Sequence, residues 1–285
     1  MIQDRPALLL AAHGAGRPQA MAGVDNVVAL ARAAFPHAEA RLCLTAEAVR
    51  RALAKSTGAE PPPGPLLALA QLREEGFREV VVQPLHIFAG SEFMDLTALC
   101  QGLAGVQTLD PAHRPFDLLV VGRPALGQPG PRHPYLEDIE RAAQALAGDV
   151  EMARAEGAAL CYAGHGNKRF STGVYQELQA LMGRLYPETP CLVGALDGLL
   201  GLDHVRRGLA GLGAGKVLLV PLLLVAGGHA VRDICGQGVD SWAGALAADG
   251  LTVRCLSRGL GEVDAFARLF IDHARDAAQD AGFAL

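Results

Sequence analysis

Two histidines sit in glycine-containing turns that close strand-like runs: His13 in Ala11-Ala12-His13-Gly14 and His165 in Tyr162-Ala163-Gly164-His165-Gly166. A third, His229, follows Gly227-Gly228. Glu92 holds the matching place in the first half, because Pro84-Leu85-His86-Ile87-Phe88-Ala89-Gly90-Ser91-Glu92 aligns without a gap with Pro221-Leu222-Leu223-Leu224-Val225-Ala226-Gly227-Gly228-His229. Imidazole and carboxylate suit cobalt, nickel, iron and zinc, and two histidines with one carboxylate leave coordination positions open for a substrate. No cysteine accompanies these histidines, so the set fits handing an ion over better than storing it behind thiolates. Asp197, just after Cys191-Leu192-Val193-Gly194-Ala195, is placed either to ligate an ion or to hold an imidazole in its useful tautomer. A histidine titrating near neutrality also accepts protons, a role open to His165 or His229.

Each of these residues also has a plainer role within reach. A His-Gly pair after a strand is a common turn, Glu92 suits the first turn of a helix, Asp197 before Gly198 suits a turn, and His229 suits a helix cap. His86 reads as structural, at an apolar strand end from which its ring can reach a cleft. His37, His113, His133, His204 and His273 have no such context.

Short aliphatic runs alternate with longer stretches of helical period, the pattern of parallel sheets covered on both faces. Strands are expected over 7–12, 40–44, 79–84, 116–121, 158–163, 190–195, 216–220 and 251–256. Helices are expected over 24–34, 65–75, 135–147, 174–185, 205–211 and 263–278. The proline-rich stretch 61–65 cannot be helical, and a second Pro/Gly-rich stretch, 122–134, divides the chain. The expectation is an α/β fold of two similar lobes, each a parallel sheet flanked by helices. They cover 1–130 and 131–285, with helix 135–147 free to pack on either. Ligands of open parallel sheets bind beyond the carboxyl ends of the strands, so His13, Glu92, His165 and His229 are expected to meet in a cleft between the lobes.

The 285 residues carry a formal charge of −5 and are 51% hydrophobic and 5% aromatic, which describes an aliphatic globule whose stability calls for no disulfide or metal. An acidic balance gives no general attraction to nucleic acid or anionic membrane, and no apolar run reaches the roughly 18 residues of a membrane span. The six cysteines form no C-x-x-C pair, and several read as buried small hydrophobes. With no signal-peptide pattern ahead of the first strand, a cytoplasmic, reducing location is expected. Gly14-Ala15-Gly16 lacks the third glycine of a dinucleotide fingerprint, Gly215-Lys216 precedes a strand instead of following one, and no G-x-S-x-G elbow occurs. Dehydrogenase, P-loop and α/β-hydrolase readings are therefore disfavoured.

Several blocks in order resemble the class II chelatases, specifically the anaerobic-type sirohydrochlorin cobaltochelatases of cobalamin biosynthesis. They are Gln83-Pro84-Leu85-His86-Ile87 with Gly90-Ser91-Glu92-Phe93, then Gly164-His165-Gly166, Val193-Gly194-Ala195, Pro221 to Ala230, Asp240-Ser241-Trp242 and Gly259-Leu260-Gly261-Glu262. The resemblance implies a bilobal fold and ATP-independent insertion of Co²⁺ into sirohydrochlorin, with Fe²⁺ or Ni²⁺ as alternative metals and no organic cofactor. It implies metal ligation by His165 and His229, with His165 as proton acceptor, and it puts Asp197 where the family carries a glutamate ligand, an arm shorter by one methylene. Glu92, expected in a catalytic role beside His165, matches a further acidic residue of the family's cleft, and His13 is expected as a substrate-binding cleft residue. Sirohydrochlorin is a polycarboxylate, so an acidic protein needs local cations for it; Arg17, Lys168, Arg169 and Arg232 are the candidates. Iron insertion for sirohaem and a non-enzymatic metal or haem carrier remain alternatives, and homo-oligomerisation is left open.

Overall fold

The computed structural model describes residues 3–285. Met1 and Ile2, at the start of the expected first lobe, lie outside the described residues. Strands β1 (Ala7–Ala12), β2 (Glu39–Leu44), β3 (Glu79–Pro84) and β4 (Leu118–Val121) form one sheet; β5 (Ala159–Gly166), β6 (Cys191–Asp197), β7 (Lys216–Leu222) and β8 (Thr252–Cys255) form another. Both are parallel throughout, with orders β2-β1-β3-β4 and β6-β5-β7-β8. The same topology is thus built twice, with β1 and β5 in equivalent places. Around the first sheet lie α1 (Ala22–Ala34), α2 (Glu47–Thr57), α3 (Pro65–Glu74) and α4 (Ser91–Ala104). They are followed by α5 (Tyr135–Ala145), α6 (Ala147–Glu156), α7 (Gly173–Leu185), α8 (Leu202–Leu212), α9 (Trp242–Ala248) and α10 (Asp264–Asp280).

Every residue of β1 is buried, as a parallel strand covered on both faces requires. Its alternation sorts the core. Leu8, Leu10 and Ala12 face a middle layer of helices, whereas Ala7, Leu9 and Ala11 face α3 and α4 on the outside. The second sheet repeats this, with Leu160 and Tyr162 inward and Ala159, Cys161 and Ala163 outward against α8 and α9. The middle layer holds Val24 and Val27 of α1, Ile139 of α5, Val150 of α6, Leu178 of α7 and Phe266 and Phe270 of α10, all in one continuous apolar cluster with both sheets.

Helix α10, last in the chain, packs back against α1, β3 and β4 of the first sheet, while α5 packs on both α7 and α10. A buried polar knot marks this crossing. Arg123 after β4 reaches Asp138 of α5 at 2.8 Å and Asp276 of α10 at 2.8 Å, and His273 of α10 reaches Asp138 at 3.0 Å. The expected helix over 135–147 is split at Leu146, and α6 continues beyond it. Composition called for no disulfide, yet Cys235 and Cys255 are bonded, with Cα atoms 5.5 Å apart. Spacing alone does not disclose such a pair. Cys43, Cys100 and Cys161 are free and buried, as expected of small hydrophobes, and burial pushes their thiols up to about 12. No helix among the described residues is long and apolar enough to cross a membrane.

Candidate active site

A cleft of about 390 Å³ opens beyond the carboxyl ends of both sheets. His13, His86, Glu92, His165, His229 and Arg232 all line it, between apolar walls that include Leu85, Phe88, Leu222 and Val225.

Local backbone constraints aim His165. Gly166 has φ of +76°, a region that disfavours side chains, and a Cβ there would stand 1.9 Å from the carbonyl oxygen of Asp197. A Cβ on Gly164 would stand 2.7 Å from the buried ring of Tyr175. The end of β5 is therefore pressed between β6 and α7, and His165 is the one side chain with room, turned to solvent. Its Nδ1 lies 3.2 Å from the Gly166 carbonyl oxygen; donating there leaves Nε2 with its lone pair for the cleft.

His229 opens a single π-helical turn, His229–Ile234. Its Nδ1 lies 2.6 Å from Asp233 Oδ2, one turn on, and Asp233 also accepts from Arg232 at 2.6 Å. Hydrogen bonding from Arg232, and then from His229, holds the Asp233 carboxyl below its ordinary range. A carboxylate on Nδ1 orients the ring and leaves Nε2 for an ion. The His165 and His229 rings stand 4.8 Å apart between centres and perpendicular, at 90°.

Across the cleft, His13 Nδ1 lies 2.8 and 3.0 Å from the two oxygens of Glu92, and Thr45 donates to Glu92 Oε2 at 3.0 Å. His86 Nε2 is 3.5 Å from the same oxygen, and both its ring nitrogens are buried without a hydrogen-bond partner. Burial by itself would raise Glu92, but the hydrogen bonds from His13 and the nearness of both imidazoles hold it well below the carboxylate range. The Glu92 hydrogen bond in turn raises His13.

The remaining residues expected at the site lie differently. Asp197 ends β6 with its Oδ1 3.1 Å from Lys168 Nζ, and it is not part of the cleft wall. Arg17 precedes a short 3₁₀ turn and also lies off the wall. Lys168 and Arg169 ride on a loop shaped by Asn167, whose Oδ1 accepts from the backbone of Arg169 at 2.7 Å and Phe170 at 3.0 Å. Asn167 Nδ2 donates to Ser91 Oγ at 3.1 Å, joining the two lobes at the cleft. Among the described residues no group of three His, Cys, Asp or Glu side chains is already arranged to hold a metal ion. Thr45, Asn167 and Asp233 were not singled out from the sequence. Only Asp233 had a readable signal, its spacing of four from His229 on a helical turn.

The fold and the cleft together define a two-lobed α/β protein that presents paired imidazoles between its lobes. The cobalt chelatase (CbiK) family matches residues 6–279, and the chain belongs to that family. It is 32% identical over 266 residues to the sirohydrochlorin cobaltochelatase CbiKC of Nitratidesulfovibrio vulgaris, covering 93% of this chain and 88% of that one. It is 30% identical over 213 residues to the sirohydrochlorin cobaltochelatase of Salmonella typhimurium, covering 75% and 74%. Among solved structures, SirB from Bacillus subtilis with Fe³⁺ superposes with a TM-score of 0.62 at 12% identity, covering 98% and 99% of the two chains. The sirohydrochlorin chelatase SirB from Bacillus subtilis subspecies spizizenii in complex with cobalt gives 0.59 at 11%, covering 98% and 99%. The two SirB likenesses bear on the fold.

Proposed function

We propose that this protein inserts Co²⁺ into sirohydrochlorin, with release of two protons, in cobalamin biosynthesis. The carrying observation is the perpendicular pair of His165 and His229 in the cleft. An ion about 2.1 Å from each ring nitrogen, with the ring centre roughly 1 Å beyond, sets two adjacent ligands about 4.5–5.2 Å apart between centres for angles from square to tetrahedral. The 4.8 Å separation lies inside that window.

In this reading Co²⁺ is substrate, held by Nε2 of His165 and of His229. Asp197 is the third ligand and exchanges its partner Lys168 for the ion, which frees the ammonium for a substrate carboxylate. Arg17, Arg169 and Arg232 meet further carboxylates, and the apolar walls take the macrocycle's flat face. As the ion passes to the pyrrole nitrogens, His165 loses its metal bond and takes one N–H proton at the same nitrogen. The reading puts the reaction in the cytoplasm. The four free cysteines fit a reducing compartment and the Cys235–Cys255 bond does not, so thiol labelling of protein taken directly from cells decides the point.

Anaerobic incubation with sirohydrochlorin and Co²⁺ is expected to accelerate the visible absorbance change over the spontaneous rate, and to do so faster than with Fe²⁺. His165→Ala is expected to abolish the acceleration while the macrocycle still binds. Stoichiometric binding without turnover in the parent protein would instead make this a carrier.

A further inference from the structure

Metal insertion breaks two pyrrole N–H bonds, and the imidazole pair of the second lobe accounts for one. The doubled topology shows where to look for the other. His13 follows β1 as His165 closes β5, and each is followed by a glycine with positive φ, Gly14 at +81° and Gly166 at +76°. Glu92 lies as far beyond Pro84 of β3 as His229 lies beyond Pro221 of β7. The two pairs occupy equivalent positions, yet their chemistry differs. In the second lobe two imidazoles stand edge to face. In the first, an imidazole is clamped through Nδ1 by both oxygens of a carboxylate, which Thr45 fixes from the other side.

Resting on the insertion reading, we propose that His13 is the acceptor of the second pyrrole proton and that Glu92 is its positioning residue. With Nδ1–H committed to Glu92, the Nε2 lone pair of His13 is the free one, on a side chain that is half exposed and lines the cleft. The pyrrole N–H bond breaks, its electron pair stays on the ring nitrogen to bind the ion, and the proton forms a bond to His13 Nε2. Glu92 stabilises the imidazolium, which then gives its proton to water. The two protons thus leave from opposite sides of the cleft, and the metal-holding imidazoles need not absorb both positive charges beside a divalent ion. Glu92 and His86 from the same lobe, and His165, Tyr175, His229 and Arg232 from the other, are the titratable and charged groups that line the cleft with His13.

The test is single-turnover insertion with the full-length protein, read by absorbance alongside sirohydrochlorin binding. His13→Gln is expected to slow insertion about 100-fold while binding stays within threefold, and added imidazole is expected to restore part of the rate in His13→Ala. Because Glu92 makes His13 more basic, the parent loses rate on the acid side as His13 protonates. Glu92→Gln is expected to move that acid limb to lower pH, a change a purely structural carboxylate would not cause. A His13→Gln rate within twofold of the parent, an unmoved acid limb, or a loss wholly accounted for by weaker binding would overturn the assignment. A parent that binds both substrates without joining them would overturn the insertion reading itself, and this role with it.

Discussion

Lys168 Nζ lies 3.1 Å from Asp197 Oδ1, so the carboxylate that ends β6 is neutralised by a cation from the loop after β5. Lys168 is 77% exposed at the side chain, and exposed ion pairs are worth about 1 kcal/mol or less. A divalent ion therefore competes well for Asp197. Lys168→Ala is expected to tighten Co²⁺ binding by no more than about fivefold. Asp197→Ala is expected to weaken it about 10- to 100-fold. Titration calorimetry on both variants measures this, and an Asp197→Ala affinity equal to the parent's removes Asp197 from the ligand set.

Gly166→Ala tests the backbone behind His165. The added methyl meets the Asp197 carbonyl at 1.9 Å at a φ that already disfavours it, so the ends of β5 and β6 must part. The expected cost is at least about 2 kcal/mol in urea unfolding. Cobalt affinity is expected to fall with it, because His165 turns away from His229. An unchanged affinity would mean the glycine does not aim the ring.

Both halves of the cleft were legible in the sequence because the repeat is gapless: His13 with Glu92, and His165 with His229, each follow from a strand end plus a fixed offset. What hid was whatever depends on elements meeting in space. Thr45 reaches Glu92 from the turn after β2, and Asn167 reaches Ser91 across the lobes. Helix α9 is missing from the expected helices because Trp-Ala-Gly-Ala-Leu-Ala-Ala is apolar and small all round and has no period to read. Helix α2 is missing for the opposite reason, since it buries only Leu53. In α4, Phe93, Leu96 and Cys100 carry helical spacing, but its first residues, Ser91 and Glu92, also match Gly228 and His229 of a segment with a different secondary structure.

Acid stability should report the Arg123–Asp138–His273 knot. Burial by itself would raise Asp138, but His273 and Arg123 bring it from 3.8 down to about 2. A depressed carboxyl stabilises the fold above its unfolded value and loses that contribution as pH falls through the folded one, here between about 4 and about 2. Asp138→Asn is expected to cost about 3 kcal/mol near pH 7, because Arg123 and His273 lose a buried partner. The gap to the parent is expected to shrink below pH 4. Denaturant midpoints from pH 2 to 7 check it, and a pH-independent gap would mean the charge on Asp138 is not what stabilises.

The Cys235–Cys255 bond ties the end of the turn that carries His229 to the end of β8. The bridge spans a sequence separation of 20, for which loop closure in the unfolded chain predicts a stabilisation of about 3 kcal/mol. The Cys235→Ser/Cys255→Ser protein is expected to melt several degrees lower, as does the parent in excess dithiol. Equal melting temperatures would mean the bridge adds nothing to the folded state.

Because a single helical layer serves as the inner wall of both sheets, the two halves cannot rock apart without exposing the aliphatic interior they hold in common. The gap between the imidazole pair and the His13 face is therefore set when the chain folds rather than when a guest arrives. A flat macrocycle would then meet a slot whose width the shared layer already fixes. Selectivity toward a flat guest then becomes a matter of its thickness.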